Sequence, residues 1–247
     1  MKNFFWGVYQ WVIAIPILFC LTIVTALLTI LFSVLGMSKW GGYYPAHYWA
    51  KMWCILMFVR VEVSGRENID RHTSYVFVAN HQGAYDIFLI YGYLNHNFKW
   101  MMKKSLSKIP FVGAACKISK HIMVDRSSAS AVQQTMKHAE SVLKDGMSLV
   151  VFPEGTRTPD GKIKKFKRGA FVLASEFGLP VVPLTVAGSF GILRKDSLRI
   201  HPGKITLTIH APLEFEKESD DKVRIDRMLE KSFETIKQSL QEEARCV

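Results

Sequence analysis

A long stretch without charge near the amino terminus constrains this chain more than any other feature. Between Lys2 and Lys39 lie 36 consecutive residues with no formally charged side chain. A helix of about 20 residues already crosses the ~30 Å hydrocarbon core of a bilayer, so this run exceeds one simple span. It also exceeds the apolar region of a signal peptide and ends in no small-residue cleavage site. Five of the six tryptophans fall in the first 53 residues, as is typical at the headgroup interface. The sequence therefore predicts a membrane anchor that stays on the protein.

The anchor has more than one helix-forming part. A second aromatic-rich stretch, residues 43–59, carries a single charge and predicts an amphipathic or partly embedded helix. Pro16 can kink or break the first run, and Gly36 can end it. Two membrane geometries fit this region, either one tilted span or two helices that enter one leaflet and return. The alternative without a membrane is a long buried core helix. We take residues 1–58 as the anchor and residues 59–247 as a second unit.

Charge is unevenly distributed along the chain, whose net charge is +11. Residues 39–213 hold 24 lysines and arginines against 11 acidic residues, so the basic character lies in the middle. The positive electrostatic field of this region favours an anionic partner. Such a partner is nucleic acid, acidic lipid headgroups, or a phosphorylated substrate or carrier. No zinc-finger or RNA-recognition pattern supports nucleic acid. Four widely spaced cysteines fit neither a metal site nor a disulfide framework and indicate a reducing compartment.

After the anchor, the hydrophobic pattern changes to short β-branched and aromatic runs separated by helix-like segments. The runs that predict strands are 59–63, 75–79, 122–124, 149–152, 181–186 and 205–209. The segments that predict helices are 127–144, 166–177 and, with amphipathic spacing, 222–240. This alternation indicates an α/β fold with a mixed, mostly parallel open sheet covered by helices.

The first candidate chemistry follows the predicted strand 75–79. His81 and Asp86 lie just past its end, where open α/β sheets place their ligands. Histidine suits proton transfer near neutral pH, and a carboxylate that accepts from one ring nitrogen can direct the other toward a substrate hydroxyl. Taken alone, a His and an Asp five residues apart are also typical of a surface histidine beside a helix cap.

Two further strand ends carry basic residues. The predicted strand 149–152 leads into Glu154, Gly155 and Arg157. The guanidinium of Arg157 can grip a phosphate in a fork geometry, and Glu154 can accept from substrate hydroxyls. Arg126 follows the predicted strand 122–124 in the same way. Together these strand ends offer what general-base attack on a phosphate-bearing substrate needs.

At these residues the sequence resembles the glycerolipid acyltransferases, and specifically the 1-acyl-sn-glycerol-3-phosphate acyltransferases. Four blocks recur in order, Asn80-His81-x4-Asp86, Ile122–Arg126, Phe152–Arg157 and Val182–Leu184. A lysine-bearing segment that contains Lys104 precedes the second block. The resemblance covers roughly residues 75–190, and it departs where Lys120 replaces a usual glycine and Met123 a usual phenylalanine.

The resemblance implies a role for each matching residue. His81 is the general base for the acceptor's sn-2 hydroxyl, Asp86 orients it, and the freed oxygen attacks an acyl thioester directly without an acyl-enzyme. Arg157 and Lys104 hold the acceptor phosphate and Arg126 supports them. The residues implied to bind substrate are Lys104, Arg126, Glu154, Gly155, Thr156, Arg157, Val182 and Pro183.

The resemblance also implies the partners. The acceptor is lysophosphatidic acid, the donor is acyl-CoA or acyl-ACP, and a membrane surface supplies the lipid. No metal, other cofactor or nucleic acid is implied. The expected location is a bacterial inner membrane, with the active site on the cytoplasmic face. Three alternatives stay open. The first is a related acyltransferase whose acceptor is lyso-ornithine lipid, another lysophospholipid or glycerol 3-phosphate. The second is a non-catalytic lipid-binding protein, and the third is a membrane-tethered nucleic-acid binder.

Overall fold

The uncharged amino-terminal run forms one continuous helix. A computed structural model describes residues 2–125, 127–144, 146–215 and 220–245. In it, helix α1 (Lys2–Val8) passes through a π-helical segment (Tyr9–Ala14) into α2 (Ile15–Val34). The helix does not end at Pro16, which lies in the first turn of α2. The wider π turns lie directly before it, where proline would otherwise meet the preceding turn. Residues 4–34 are long and apolar enough to cross a membrane by length and composition.

The chain then turns back along this helix. Helix α3 (Ser38–Gly41) leads into α4 (Tyr44–Leu56), which pairs with the first helix in antiparallel orientation. The Tyr9 hydroxyl donates to the Leu56 carbonyl at 2.8 Å, and the Trp49 indole N–H donates to the Thr22 hydroxyl at 2.8 Å. The second helix that the sequence predicts in residues 43–59 is therefore present, packed against the first.

The rest of the described chain builds an α/β layer. Seven strands form one sheet, and they are β1 (Val59–Ser64), β2 (Val76–Ala79), β3 (Phe98–Lys103), β4 (Ile122–Val124), β5 (Ser148–Val151), β6 (Val181–Ala187) and β7 (Gly203–Ile209). The helices are α5 (Tyr85–Tyr93), α6 (Val112–Ile118), α7 (Ala129–Lys144), α8 (Gly169–Glu176), α9 (Ser189–Ile192) and α10 (Asp221–Arg245). Strand β3 was not predicted, because Lys99, its second residue, interrupts the apolar pattern that marks a strand although its side chain is buried.

The order of the strands is β1-β7-β6-β2-β5-β3-β4. Only β6 and β7 pair antiparallel, and every other neighbouring pair is parallel. The predicted mixed, mostly parallel open sheet is therefore confirmed. The carboxyl ends of β6, β2, β5, β3 and β4 all meet at one edge, which we call the active edge.

The sheet has a separate apolar core on each face, as expected for strands buried on both sides. On one face, Val76 and Val78 pack with α7, α8 and α10. On the other face, Phe77 packs with α5 and with the inner side of the amino-terminal helices, including Leu18 and Cys54. The predicted anchor thus contributes side chains to the core of the sheet and is fixed against it.

Candidate active site

His81 stands at the end of the central strand β2. The preceding residue, Asn80, is fully buried and bonds to the neighbouring strand β6. The Asn80 side chain donates to the Val186 carbonyl and accepts from the Val186 N–H, both at 2.8 Å. This paired contact joins the end of β2 to β6, so the backbone that carries His81 is fixed on that side.

The imidazole of His81 is oriented by Asp86 in the first turn of α5. His81 Nδ1 lies 2.7 Å from Asp86 Oδ2, and the same oxygen accepts the backbone N–H groups of Gln82 at 2.7 Å and Gly83 at 3.0 Å. Asp86 is fully buried, whereas the His81 side chain is 13% exposed. A carboxylate that accepts from Nδ1–H leaves Nε2 as the free proton acceptor. The structure therefore brings together the predicted His–Asp pair in a geometry suited to a general base.

A stack of aromatic rings supports the other side of the imidazole. The Phe152 ring lies face-on to His81, with centroids 3.9 Å apart and planes 8° apart, and Trp100 stacks on Phe152 at 5.3 Å. The Trp100 backbone N–H donates to His121 Nδ1 at 3.1 Å. Burial lowers the pKa of His121 to about 3, so it stays neutral and able to accept. Phe152 was predicted to end a strand and to open the third block, but no contact with His81 was predicted for it; the aromatic residue at the strand end was the signal for this second role.

Glu154 ties two loops to the site. It is almost completely buried. Its Oε1 accepts the His81 backbone N–H at 2.8 Å and its Oε2 accepts the Lys164 backbone N–H at 3.0 Å. Burial raises the pKa of this carboxyl above its usual value, although the two N–H groups oppose the rise. Both oxygens are thus engaged by backbone, and the structure gives Glu154 a positioning contact with His81.

The segment after Glu154 curves around His81. Gly155 has a φ of +78°, a conformation that favours glycine, and Thr156 beside it is exposed. Arg157 is half-buried, and the next residue, Thr158, donates its N–H to the His81 carbonyl at 3.0 Å. The predicted substrate-binding residues of this block therefore lie at the active edge, beside the base.

Lys104 lies further along the same edge. It follows β3, two strands from β2, which places its backbone about 10 Å from that of His81 at the usual strand spacing. Its ammonium group is paired with Asp125, and this contact lowers the Asp125 pKa to about 2. The pairing of Asp125 with Lys104 was not predicted from the sequence. Arg126, the next residue, lies outside the described residues.

Val182 and Pro183 are not brought to this edge. Both are buried in β6, where they pair in register with Phe77 and Val78 of β2. The position of β6 that reaches the level of the site is Val186, through Asn80. The structure therefore places Val182 and Pro183 inside the sheet layer, below the site.

Comparisons with known proteins agree with this arrangement. The Acyltransferase family matches residues 60–187, more than half of the chain. The chain is 34% identical to 1-acyl-sn-glycerol-3-phosphate acyltransferase LPAT1, chloroplastic, of Arabidopsis thaliana over 68% of its own length and 48% of the relative's. It is 35% identical to the 1-acyl-sn-glycerol-3-phosphate acyltransferase of Pseudomonas aeruginosa, over 65% of this chain and 62% of that one.

A solved structure matches over nearly the whole chain. It is the crystal structure of the 1-acyl-sn-glycerophosphate (LPA) acyltransferase PlsC from Thermotoga maritima. It superposes with a TM-score of 0.79 at 27% identity, covering 98% of this chain and 96% of that one. By contrast, the chain spans about half the length of the plant and algal relatives that it matches. The chain belongs to the acyltransferase family.

Proposed function

We propose that this protein transfers a fatty acyl group from an acyl thioester to the sn-2 hydroxyl of 1-acyl-sn-glycerol 3-phosphate, which yields phosphatidic acid. The observation that carries the proposal is the His81–Asp86 pair at 2.7 Å, with its free nitrogen at an edge that also holds Lys104 and Arg157. The names of the relatives and of the matched crystal structure support the same acceptor.

The proposed reaction uses His81 twice. Nε2 takes the proton of the acceptor hydroxyl as its oxygen forms a bond to the thioester carbonyl carbon. The imidazolium is stabilised by the buried Asp86 carboxylate. The tetrahedral intermediate then expels the thiol sulfur, which receives the proton from Nε2. The products are an ester and a free thiol, so no covalent enzyme intermediate is needed.

The acceptor phosphate needs cationic partners near His81. We propose that Arg157 and Lys104 bind it and that Arg126 assists, while Gly155 and Thr156 border the glycerol. Arg157 directly precedes Thr158, whose backbone N–H donates a hydrogen bond to the His81 carbonyl. A guanidinium can bind a phosphate through two parallel hydrogen bonds, which would fix the acceptor in one orientation.

The amino-terminal helix supports a membrane location for the site, where such an acceptor resides. The helix is apolar and its outward side chains are exposed, among them Phe5, Val12 and Phe19. We propose that it lies in a membrane and holds the active edge at the headgroup layer. We further propose that the active edge faces the cytoplasm at a bacterial inner membrane and that the donor is acyl-CoA or acyl-ACP.

The experiment is an acyl-transfer assay with the purified protein in detergent. Palmitoyl-CoA and lysophosphatidic acid are supplied, and phosphatidic acid is identified by mass spectrometry. Loss of a general base typically costs ~10²–10⁴-fold, so His81→Ala should lose that much activity while it keeps the parent's thermal unfolding. His138→Ala, a change of a helix α7 histidine, is the matched control and should retain activity.

Two results would overturn the proposal. Activity that survives in a folded His81→Ala variant would exclude the mechanism. No transfer by the parent to lysophosphatidic acid, with transfer to lyso-ornithine lipid or another lysophospholipid, would exclude the acceptor but keep the chemistry.

A further inference from the structure

A basic basin opens on the opposite side of His81 from Lys104. It has a volume of about 580 Å³ and is bordered by Pro159, Arg194, Lys195, Asp196, Arg199 and His201. Most of these residues lie in the connection from α9 to β7, which follows β6. In the strand order, β6 and β7 are on one side of β2, and β3 and β4, which carry Lys104 and Asp125, are on the other. The site therefore has cationic groups on both flanks.

The basin adjoins the site through a short series of contacts. Pro159 follows Thr158, whose N–H is bonded to the His81 carbonyl. Gln82, next to His81, donates its side-chain amide to the Gly161 carbonyl at 3.1 Å. Gly161 in turn lies against the Phe190 ring, where an added Cβ would come within 3.2 Å. The guanidinium of Arg194 stands over that ring, 5.1 Å from its centroid.

The cations of the basin have no acidic partners among the described residues. Within the part of the chain that the structure describes, Arg194, Lys195 and Arg199 make no ion pair with an acidic side chain. All three are exposed, and Asp196 is the one acidic residue at the border. A concave site with unpaired cations favours a ligand that carries several negative charges.

The basin is held in place from below. The side chain of Gln10, fully buried in the π-helical segment, donates to the Leu198 carbonyl at 2.9 Å and accepts the Ile200 N–H at 3.1 Å. The Trp6 indole N–H donates to the Ile200 carbonyl at 2.8 Å. These bonds fix the middle of the connection that carries Arg194 and Arg199 against the amino-terminal helix.

From this placement we infer that the basin binds the phosphate groups of the acyl donor, as found in the nucleotide part of coenzyme A. The inference rests on the proposed function. In CoA the pantetheine arm separates the thioester from the phosphates, so a thioester at His81 requires a separate anion site nearby. The acceptor phosphate would use Lys104 on one flank together with Arg157 beside the base, which leaves the basin on the other flank for the donor.

Size and shape favour a small ligand over a carrier protein. A volume of about 580 Å³ lies within the range of about 300–1,000 Å³ that is usual for small-molecule and cofactor sites. Protein partners, in contrast, bury a broad patch of about 800 Å² on each side. Phe190 and Arg194 also offer a ring and a guanidinium plane, on which a base can stack.

The test compares two donors that differ only in the nucleotide. Palmitoyl-CoA carries the phosphates, and palmitoyl-pantetheine carries none. In an R194Q/R199Q double variant we expect kcat/KM for palmitoyl-CoA to fall about tenfold, because charge-assisted hydrogen bonds are lost, while kcat/KM for palmitoyl-pantetheine and KM for the acceptor stay unchanged. An R60Q/R245Q variant removes the same charge elsewhere and should behave as the parent.

A binding measurement separates this inference from the proposed function. Equilibrium dialysis of free CoA should show about tenfold weaker binding to R194Q/R199Q than to the parent, whether or not the parent transfers acyl groups. Equal losses with both donors would overturn the inference, as would no CoA binding by the parent. Loss confined to acyl-ACP would assign the basin to a carrier protein. Loss confined to binding of phosphatidylglycerol vesicles would assign it to lipid headgroups.

Discussion

At the scale of single residues, the candidate base depends on one oxygen atom of Asp86. Oδ2 accepts from His81 Nδ1 and from two backbone N–H groups, those of Gln82 and Gly83. The same contacts that begin helix α5 therefore orient the imidazole. Because the carboxylate is fully buried, its interaction with an imidazolium is weakly screened by solvent.

Asp86→Asn tests this role. The amide keeps the volume and can accept hydrogen bonds through its oxygen, but it does not supply the negative charge that stabilises the imidazolium. We expect kcat to fall by ~10²–10⁴-fold with a much smaller change in KM, measured by steady-state acyl transfer. Asp70→Asn, an exposed aspartate, is the control. A kcat near that of the parent would contradict the role.

Phe152→Leu tests the aromatic support of His81. Leucine keeps an apolar side chain but cannot stack on the imidazole, whose ring lies 3.9 Å from that of Phe152. Stacked aromatic pairs contribute about 0.5–1.5 kcal/mol beyond their buried area, so we expect kcat to fall roughly two- to tenfold. Phe152→Tyr keeps an aromatic ring and should retain most of the parent's rate. If Phe152 only filled volume, the rate would not depend on whether the replacement is aromatic. Equal rates in the leucine and tyrosine variants would exclude the stacking role.

Glu154 gives the stability of the fold a pH dependence. Burial raises its folded-state pKa above the unfolded value of about 4.5. The folded state therefore binds the proton more tightly, and this stabilisation is complete below pH 4.5 and is lost as the pH rises through the folded pKa. Glu154→Gln removes the titration. It also removes one acceptor for a backbone N–H, which costs about 1–3 kcal/mol at every pH.

The measurement is urea unfolding of parent and variant from pH 4 to pH 8. The difference in unfolding free energy between the parent and Glu154→Gln should narrow as the pH rises. A difference that is constant or widens would show that the pKa of Glu154 is not raised. Glu176→Gln, at the end of helix α8, provides the control for a loss of charge alone.

At the scale of elements, the π-helical segment joins the apolar helix to the rest of the fold. It places Gln10 toward the α9–β7 connection, where the side chain satisfies the Leu198 carbonyl and the Ile200 N–H. On the same segment, Val12 faces outward and is exposed. One short segment thus presents an anchoring amide on one side and an apolar surface on the other.

Gln10→Ala should therefore destabilise the protein. It leaves the buried Ile200 N–H and the part-buried Leu198 carbonyl without partners, and a buried polar group without a partner costs about 1–3 kcal/mol. We expect a loss of about 2–4 kcal/mol in unfolding free energy and faster amide exchange around residue 200, measured by hydrogen exchange in detergent. Val12→Ala on the same segment should change neither. If both variants unfold as the parent does, the two hydrogen bonds do not hold the connection.

At the scale of the whole molecule, the exposed apolar surface and the active edge adjoin. The outward face of the amino-terminal helix exposes large apolar side chains along its length, and the connection after Lys104 adds three more, Leu106, Ile109 and Phe111. Helix α6, which follows that connection, packs against α2. Lys104 therefore lies beside a surface suited to contact with lipid.

Charge introduced on that surface should weaken membrane binding. A charged residue at the centre of a membrane helix costs about 2.5–3.5 kcal/mol, so Val12→Glu with Phe19→Glu should reduce partition into lipid vesicles more than tenfold. Flotation with phosphatidylethanolamine–phosphatidylglycerol vesicles measures this. Val223→Glu, on α10, changes an exposed apolar residue elsewhere and should bind as the parent. Equal flotation of both variants would place the lipid contact on another face.

Much of the fold was predictable because its signals are local. Alternating apolar runs predicted six of the seven strands, and the uncharged run predicted the apolar amino-terminal helix. Strand β3 was missed because a lysine buried by tertiary packing breaks the local pattern. Pro16 was expected to kink or break the helix, but the helix continues because the π-helical segment before it accommodates the ring.

The sequence alone predicted the candidate base and its orienting acid, since His81 and Asp86 match a motif of the resembled family and lie only five residues apart. Only the tertiary structure decided what surrounds them. Phe152 and Glu154 reach the site from the end of β5 and Asp125 lies at the end of β4, and Gln10 fixes a connection 188 residues away. Such contacts depend on the order and register of the strands, and that order is set by packing of distant segments, which leaves no pattern in any one stretch of sequence.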